Sequence, residues 1–149
     1  MRAALLLFLT SVIFPSMLGA QSYGDLDTRF TFSLFRSEID PIGLIIALTT
    51  TADYPCDGYT LRTRVSRQRD TITVSILGML TPNPCNGAFG RAKGSAFLGN
   101  QVAGKYFVRL YYRGVSDLYR LSFDKGKIIL SPIIKTFTEQ KPLETYDQK

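Results

Sequence analysis

The stretch Tyr59–Leu77, YTLRTRVSRQRDTITVSIL, decides the fold class. In its first half Leu61, Thr63 and Val65 alternate with Arg62, Arg64 and Ser66. In its second half Ile72, Val74 and Ile76 alternate with Thr71, Thr73 and Ser75. Successive side chains of a strand point to opposite faces, so a period of two marks strands buried on one side only. Pairing Val65 with Ile72, Thr63 with Val74 and Leu61 with Ile76 gathers the apolar side chains on one face. It leaves Arg67–Asp70 as a four-residue loop. The unit is a β-hairpin with an arginine-rich outer side.

The same period runs through most of the chain from residue 29, with no stretch of helical spacing. Phe30, Phe32 and Leu34 alternate with Thr31 and Ser33. Residues 43–51, GLIIALTTT, form a continuous run rich in Ile and Thr, read as a strand. A weaker strand is expected over 91–98. Tyr106, Val108, Leu110 and Tyr112 share one face of a further strand, and Tyr119, Leu121 and Phe123 return on the matching face after a turn at 113–117. A short last strand, 127–130, precedes Pro132, and the polar residues from 138 onward read as a loose tail.

About eight short strands without helices describe an all-β domain. The expected architecture is a single-domain antiparallel β-sandwich of Ig-like, Greek-key type. Gly104-Lys105-Tyr106, opening an alternating strand, resembles the tyrosine corner of such sandwiches. A small closed β-barrel is the alternative.

Residues 1–20 carry a basic start, an apolar run and small residues at Gly19-Ala20, the layout of a secretory signal peptide. Thr10, Ser11, Pro15 and Ser16 interrupt the run, which therefore falls short of a membrane span. The expected organisation is a signal at 1–20, a domain at 21–137 and a tail at 138–149, with the mature chain secreted or periplasmic. The two cysteines, Cys56 and Cys85, then pair as one disulfide.

The chain has no histidine and no tryptophan. Absence of His excludes Ser-His-Asp and Cys-His catalysis and His-dependent metal sites. The Asp25/Asp27 and Asp53/Asp57 pairs supply too few oxygens for calcium, so no metal and no cofactor is expected. Asp117 and Asp124 read as turn residues that bond their own backbone. Without Arg2 the chain carries about +5, modestly basic and compatible with anionic partners.

Three features stand out as candidate contact regions. Arg62, Arg64, Arg67 and Arg69 place four guanidinium groups within eight residues, which suits sulfate, phosphate or carboxylate; their ordinary role is a solvated strand face. Phe107, Arg109 and Tyr111 share a face, with Arg120 expected across from Tyr111, and can stack on sugar rings; interleaved Tyr and Arg also simply stabilise a sheet. The loop at 81–87, TPNPCNG, is stiffened by two prolines and the disulfide. The expected function is a non-catalytic binding module, accessory or adhesin-like, for a protein or an anionic polysaccharide rather than nucleic acid. A protease-inhibitor-like protein presenting loop 81–87 and a carboxylate-dependent polysaccharide hydrolase are the alternatives.

Overall fold

The computed structural model describes residues 29–40, 43–85, 87–100, 104–124 and 127–141. The signal at 1–20, the Asp25/Asp27 pair and residues 142–149 lie outside them. The strands are β1 (Phe30–Arg36), β2 (Gly43–Thr50), β3 (Thr60–Gln68), β4 (Thr71–Leu80), β5 (Lys93–Asn100), β6 (Lys105–Tyr112), β7 (Val115–Asp124), β8 (Lys127–Ile134) and β9 (Thr138–Gln140). All nine join one sheet in the order β8-β7-β6-β4-β3-β5-β2-β1-β9. The pairs β1–β9, β3–β5 and β4–β6 are parallel and the others antiparallel.

The sheet curls into a half-barrel. The all-β reading therefore holds, whereas the expected Ig-like sandwich of two layers does not form; the barrel alternative fits in part. Curling replaces the second layer as the means of burying one face. β1 and β7 are six places apart in the sheet, yet the Phe32 and Tyr119 rings meet edge-on with centroids 5.0 Å apart. Phe30 meets Tyr112 of β6 in the same manner at 5.3 Å. Around these rings Leu34, Leu44, Ile46, Leu48, Ile72, Val74, Val108, Leu110 and Leu121 are almost wholly buried. Every one belongs to the apolar face of its strand, as the alternation requires.

Two tight turns set the registers. Between β6 and β7 only Arg113 and Gly114 intervene, both with positive φ (45° and 85°), so Tyr112 pairs with Val115. Such turns match strand twist, and the second position favours glycine. The five-residue turn expected at 113–117 is thus shorter, and Arg120 lies opposite Phe107, not Tyr111. In the β3–β4 hairpin the loop is Arg69-Asp70, with Arg69 at φ 56°. Val65 consequently faces Val74 and Thr63 faces Ile76, two residues from the expected register. An irregularity at Arg62/Thr63 then leaves Leu77 unpaired and brings Leu61 to Met79. A two-residue shift preserves which side chains face inward, so the hydrophobic pattern alone could not distinguish the registers.

β8 continues through Pro132, which an edge strand tolerates because it lacks a partner on one side. The polar stretch from Thr138, read as tail, instead adds β9 to the far edge beside β1. β8 and β9 are thus the two edges of the sheet, yet only residues 135–137 separate them in the chain. That short link draws the sheet ends together at one rim, here the lower rim. Arg36, Gln68, Lys105 and Lys127 mark the upper rim. Tyr106, the expected tyrosine-corner residue, packs its ring against Phe123 at 6.4 Å near the upper rim.

Candidate functional site: the convex face and the lower rim

The registers define what stands on the outer, convex face. Arg64 of β3 lies beside Ser75 of β4, which lies beside Tyr111 of β6, which lies beside Ser116 of β7. The next row runs Ser66, Thr73, Arg109, Leu118; the following one runs Gln68, Thr71, Phe107, Arg120. Arg62, Arg64, Arg109, Tyr111 and Arg120 are exposed and Phe107 is half-buried. Two candidate regions that are distant in sequence thereby become one surface. Because β4 and β6 pair directly, the arginine hairpin and the aromatic-basic hairpin are neighbours.

The four guanidinium groups follow a diagonal from Arg62 through Arg64 and Arg109 to Arg120. With strands about 4.8 Å apart and alternate residues about 6.8 Å apart, Arg109 and Arg120 are roughly 8 Å apart at Cα and Arg64 and Arg109 roughly 12 Å. Between them stand hydroxyls of Thr73, Ser75 and Thr71. None of the outward positions of β3, β4 and β6 carries Asp or Glu. Asp70 and Asp124 lie at the upper rim, where the Asp70 carbonyl accepts from the N–H of Phe107, the strand partner of Arg120. The face is convex and open.

Arg67 and Arg69 do not join this stripe. Arg67 pairs with the fully buried Ile72, so it sits on the inner side of β3, and its guanidinium stacks 5.2 Å from the Tyr106 ring centroid. Its Nε donates to the Arg69 carbonyl at 3.3 Å. Arg69 occupies the hairpin turn. The sequence cluster of four is therefore divided between two faces and a tip, a direct result of the two-residue loop.

The lower rim holds a heavily bonded buried carboxylate. Asp117 lies on the inward face of β7, fully buried, and accepts five hydrogen bonds. The backbone N–H groups of Thr136, Phe137 and Thr138 donate at 2.7, 3.1 and 2.8 Å, and the hydroxyls of Thr136 and Thr138 donate as well. Burial alone would raise its pKa, but the hydroxyl and backbone donors of Thr136 and Thr138 outweigh it and hold the carboxyl below its ordinary 3.8. The Tyr119 hydroxyl lies 2.7 Å from Oγ1 of Thr138. Burial pushes this phenol up; the Thr138 bond opposes that, and the Asp117 charge adds to it. Asp117 is therefore a strand residue with a structural task, not the turn residue expected. Its parity with Tyr119, Leu121 and Phe123 was the available signal, since an Asp on an apolar face must find donors.

Cys56 and Cys85 form the disulfide, with Cα atoms 5.4 Å apart, as expected from their number. The bridge fits an oxidising compartment. Nearby, Tyr54 and Gly90 exchange two backbone hydrogen bonds of 2.8 and 3.0 Å, and Arg91 reaches Asp53 at 3.3 Å. The 81–87 loop is exposed over most of its length. Beyond it stands Phe89, 75 % exposed, which the sequence reading passed over. Among the described residues no three of Asp, Glu and Cys gather as metal ligands, and no helix is long and apolar enough to cross a membrane. No protein-family model matches this chain, and no curated protein or solved structure matches it.

Proposed function

We propose that the chain is an exported, non-catalytic binding module that holds an anionic polysaccharide on its convex face. The observation that carries this is the diagonal Arg62–Arg64–Arg109–Arg120, laid across the four successive strands β3, β4, β6 and β7, with the hydroxyls of β4 between the arginines and no acidic residue among them. Guanidinium forks fit carboxylate and sulfate with two parallel hydrogen bonds. Exposed Tyr111 and half-buried Phe107 offer ring faces against which a sugar can lie. The serine and threonine hydroxyls between them can exchange hydrogen bonds with sugar hydroxyls. A linear polymer suits an open convex surface, whereas a small molecule needs a concave one. The apolar run at 1–20 supports export, and the disulfide agrees with it.

The test is retention on an immobilised acidic polysaccharide as salt is raised. The native chain should be retained at low salt and released as exposed charges are screened. Replacing Arg62 and Arg64 by Glu, or Arg109 and Arg120 by Glu, should weaken binding at least about tenfold in each case, equivalent to ~1.4 kcal/mol. Replacing Arg67 and Arg69 by Glu changes the net charge by the same amount but lies off the diagonal, and retention should fall much less. Equal loss for all three would show that net charge alone governs retention.

A further inference from the structure

β8 borders the convex face on the side where the arginine diagonal ends. Arg120, the last residue of the diagonal, has Ser131 of β8 as its strand partner. On both sides of that pair the surface turns apolar. Ile129 stands beside Ser122 toward the upper rim, and Ile134 stands beside Leu118 toward the lower rim. The register irregularity between Leu118 and Tyr119 adds Ile133 to the same stretch. Ile129, Ile133 and Ile134 are 42, 46 and 48 % exposed, and Leu118 is half-buried. Three large aliphatic side chains on one sheet edge form a patch, whereas apolar residues scattered singly would need no explanation.

An apolar edge ordinarily invites a strand from a second chain. Here Pro132 has no N–H to offer, and the irregularity beside it breaks the regular ladder, so an added strand finds no continuous row of donors. What remains is an apolar margin beside a field of cations. Among the described outward positions of β6, β7 and β8 the only acidic residue is Asp124, at the upper rim, and its strand partner is Lys127.

We infer that the acidic saccharide held by the convex face is the head group of a membrane glycolipid, with Ile129, Ile133 and Ile134 resting on the lipid at its base. This inference rests on the binding reading and names its partner. The guanidinium groups take the anionic groups of the sugar, and the isoleucines leave water for the boundary between head groups and acyl chains. Interfacial binding draws on these two contributions together, buried apolar area and attraction to anionic lipid. A polysaccharide free in water offers nothing to the isoleucines. A glycolipid carries both chemistries in the order in which the surface presents them, from β3 across to β8. Arg120 stands at the apolar margin, where an arginine stem lies along apolar surface while its charged end stays hydrated.

The experiment is co-sedimentation of the disulfide-bonded chain with phosphatidylcholine vesicles that contain an acidic sialylated glycolipid. Plain phosphatidylcholine vesicles and the free sialylated oligosaccharide of the same head group are the comparisons. The glycolipid vesicles should bind at least about tenfold more tightly than the free head group, and plain vesicles should not bind. Replacing Ile129, Ile133 and Ile134 together by Thr keeps β-branched strand formers and should remove that advantage. Retention of this triple variant on the acidic polysaccharide should stay native, which reports an intact fold. Replacing Arg109 and Arg120 by Glu should weaken both kinds of binding. Loss of native retention on the polysaccharide would mean that the binding reading itself fails. With that retention present, equal affinity for vesicles and free head group would overturn this inference alone. So would native vesicle binding by the triple variant, or a concentration-dependent dimer that the triple variant abolishes.

Discussion

Asp117 of β7 accepts both the backbone N–H and the hydroxyl of Thr138, the first residue of β9, although β7 and β9 stand near opposite edges of the sheet. A sheet curled this far has two unpaired edges that must be held in place. Here a single carboxylate binds three consecutive N–H groups, two from the link between them and one from the start of β9, and Tyr119 adds a second tie to Thr138. The half-barrel is therefore closed at its lower rim by polar contacts, with the Phe32–Tyr119 and Phe30–Tyr112 rings packed inside.

Removing the charge should loosen this closure. Asp117→Asn keeps the shape but turns a donor toward groups that are themselves donors, and should cost about 2–4 kcal/mol of unfolding free energy. Tyr119→Phe, which removes one hydroxyl contact, should cost about 1 kcal/mol. Urea unfolding of the two variants measures both, and equal effects would show that the carboxylate has no special part.

The same carboxylate makes stability depend on pH in a defined direction. Its folded pKa lies below the ordinary 3.8, so near that pH the unfolded chain binds more protons than the folded one. Stability from Asp117 is fully present above about pH 5 and is lost as pH falls through the folded value. Unfolding free energy measured from pH 6 down to pH 2.5 should fall for the native chain. The fall should be shallower for Asp117→Asn, and the gap between the two should narrow with acid.

Replacing both cysteines by serine should lower stability by about 3.6 kcal/mol, the value for a loop of ~30 residues in the chain-entropy model. The bridge lies at the lower rim, away from the arginine diagonal, so polysaccharide retention of the folded variant should be unchanged. Thermal unfolding and column retention report these two outcomes separately.

Strand positions and inward faces were legible in the sequence because alternation encodes them directly: β6 runs over the expected residues, and its buried Val108, Leu110 and Tyr112 are those of its apolar face. Registers were less so. Alternation cannot detect a shift of two, and it took the positive φ of Arg69 and Arg113 to fix the turns at two residues. The choice between two layers and one curled sheet was not legible at all, since both bury one face of each strand. It depends on the parallel β4–β6 and β1–β9 pairs, between strands distant in sequence. The candidate site shared this limit. Arg62, Arg64, Arg109 and Arg120 were each recognisable as outward residues, but their union on one surface rests on the β4–β6 pair.

The most direct test of the binding account is a titration of the backbone amide resonances with a short acidic oligosaccharide. Shifts that saturate together and cluster on β3, β4, β6 and β7 around Arg64, Thr73, Arg109 and Arg120 are the result expected. Shifts confined to the lower rim, or to the inner face near Arg67 and Tyr106, would contradict it.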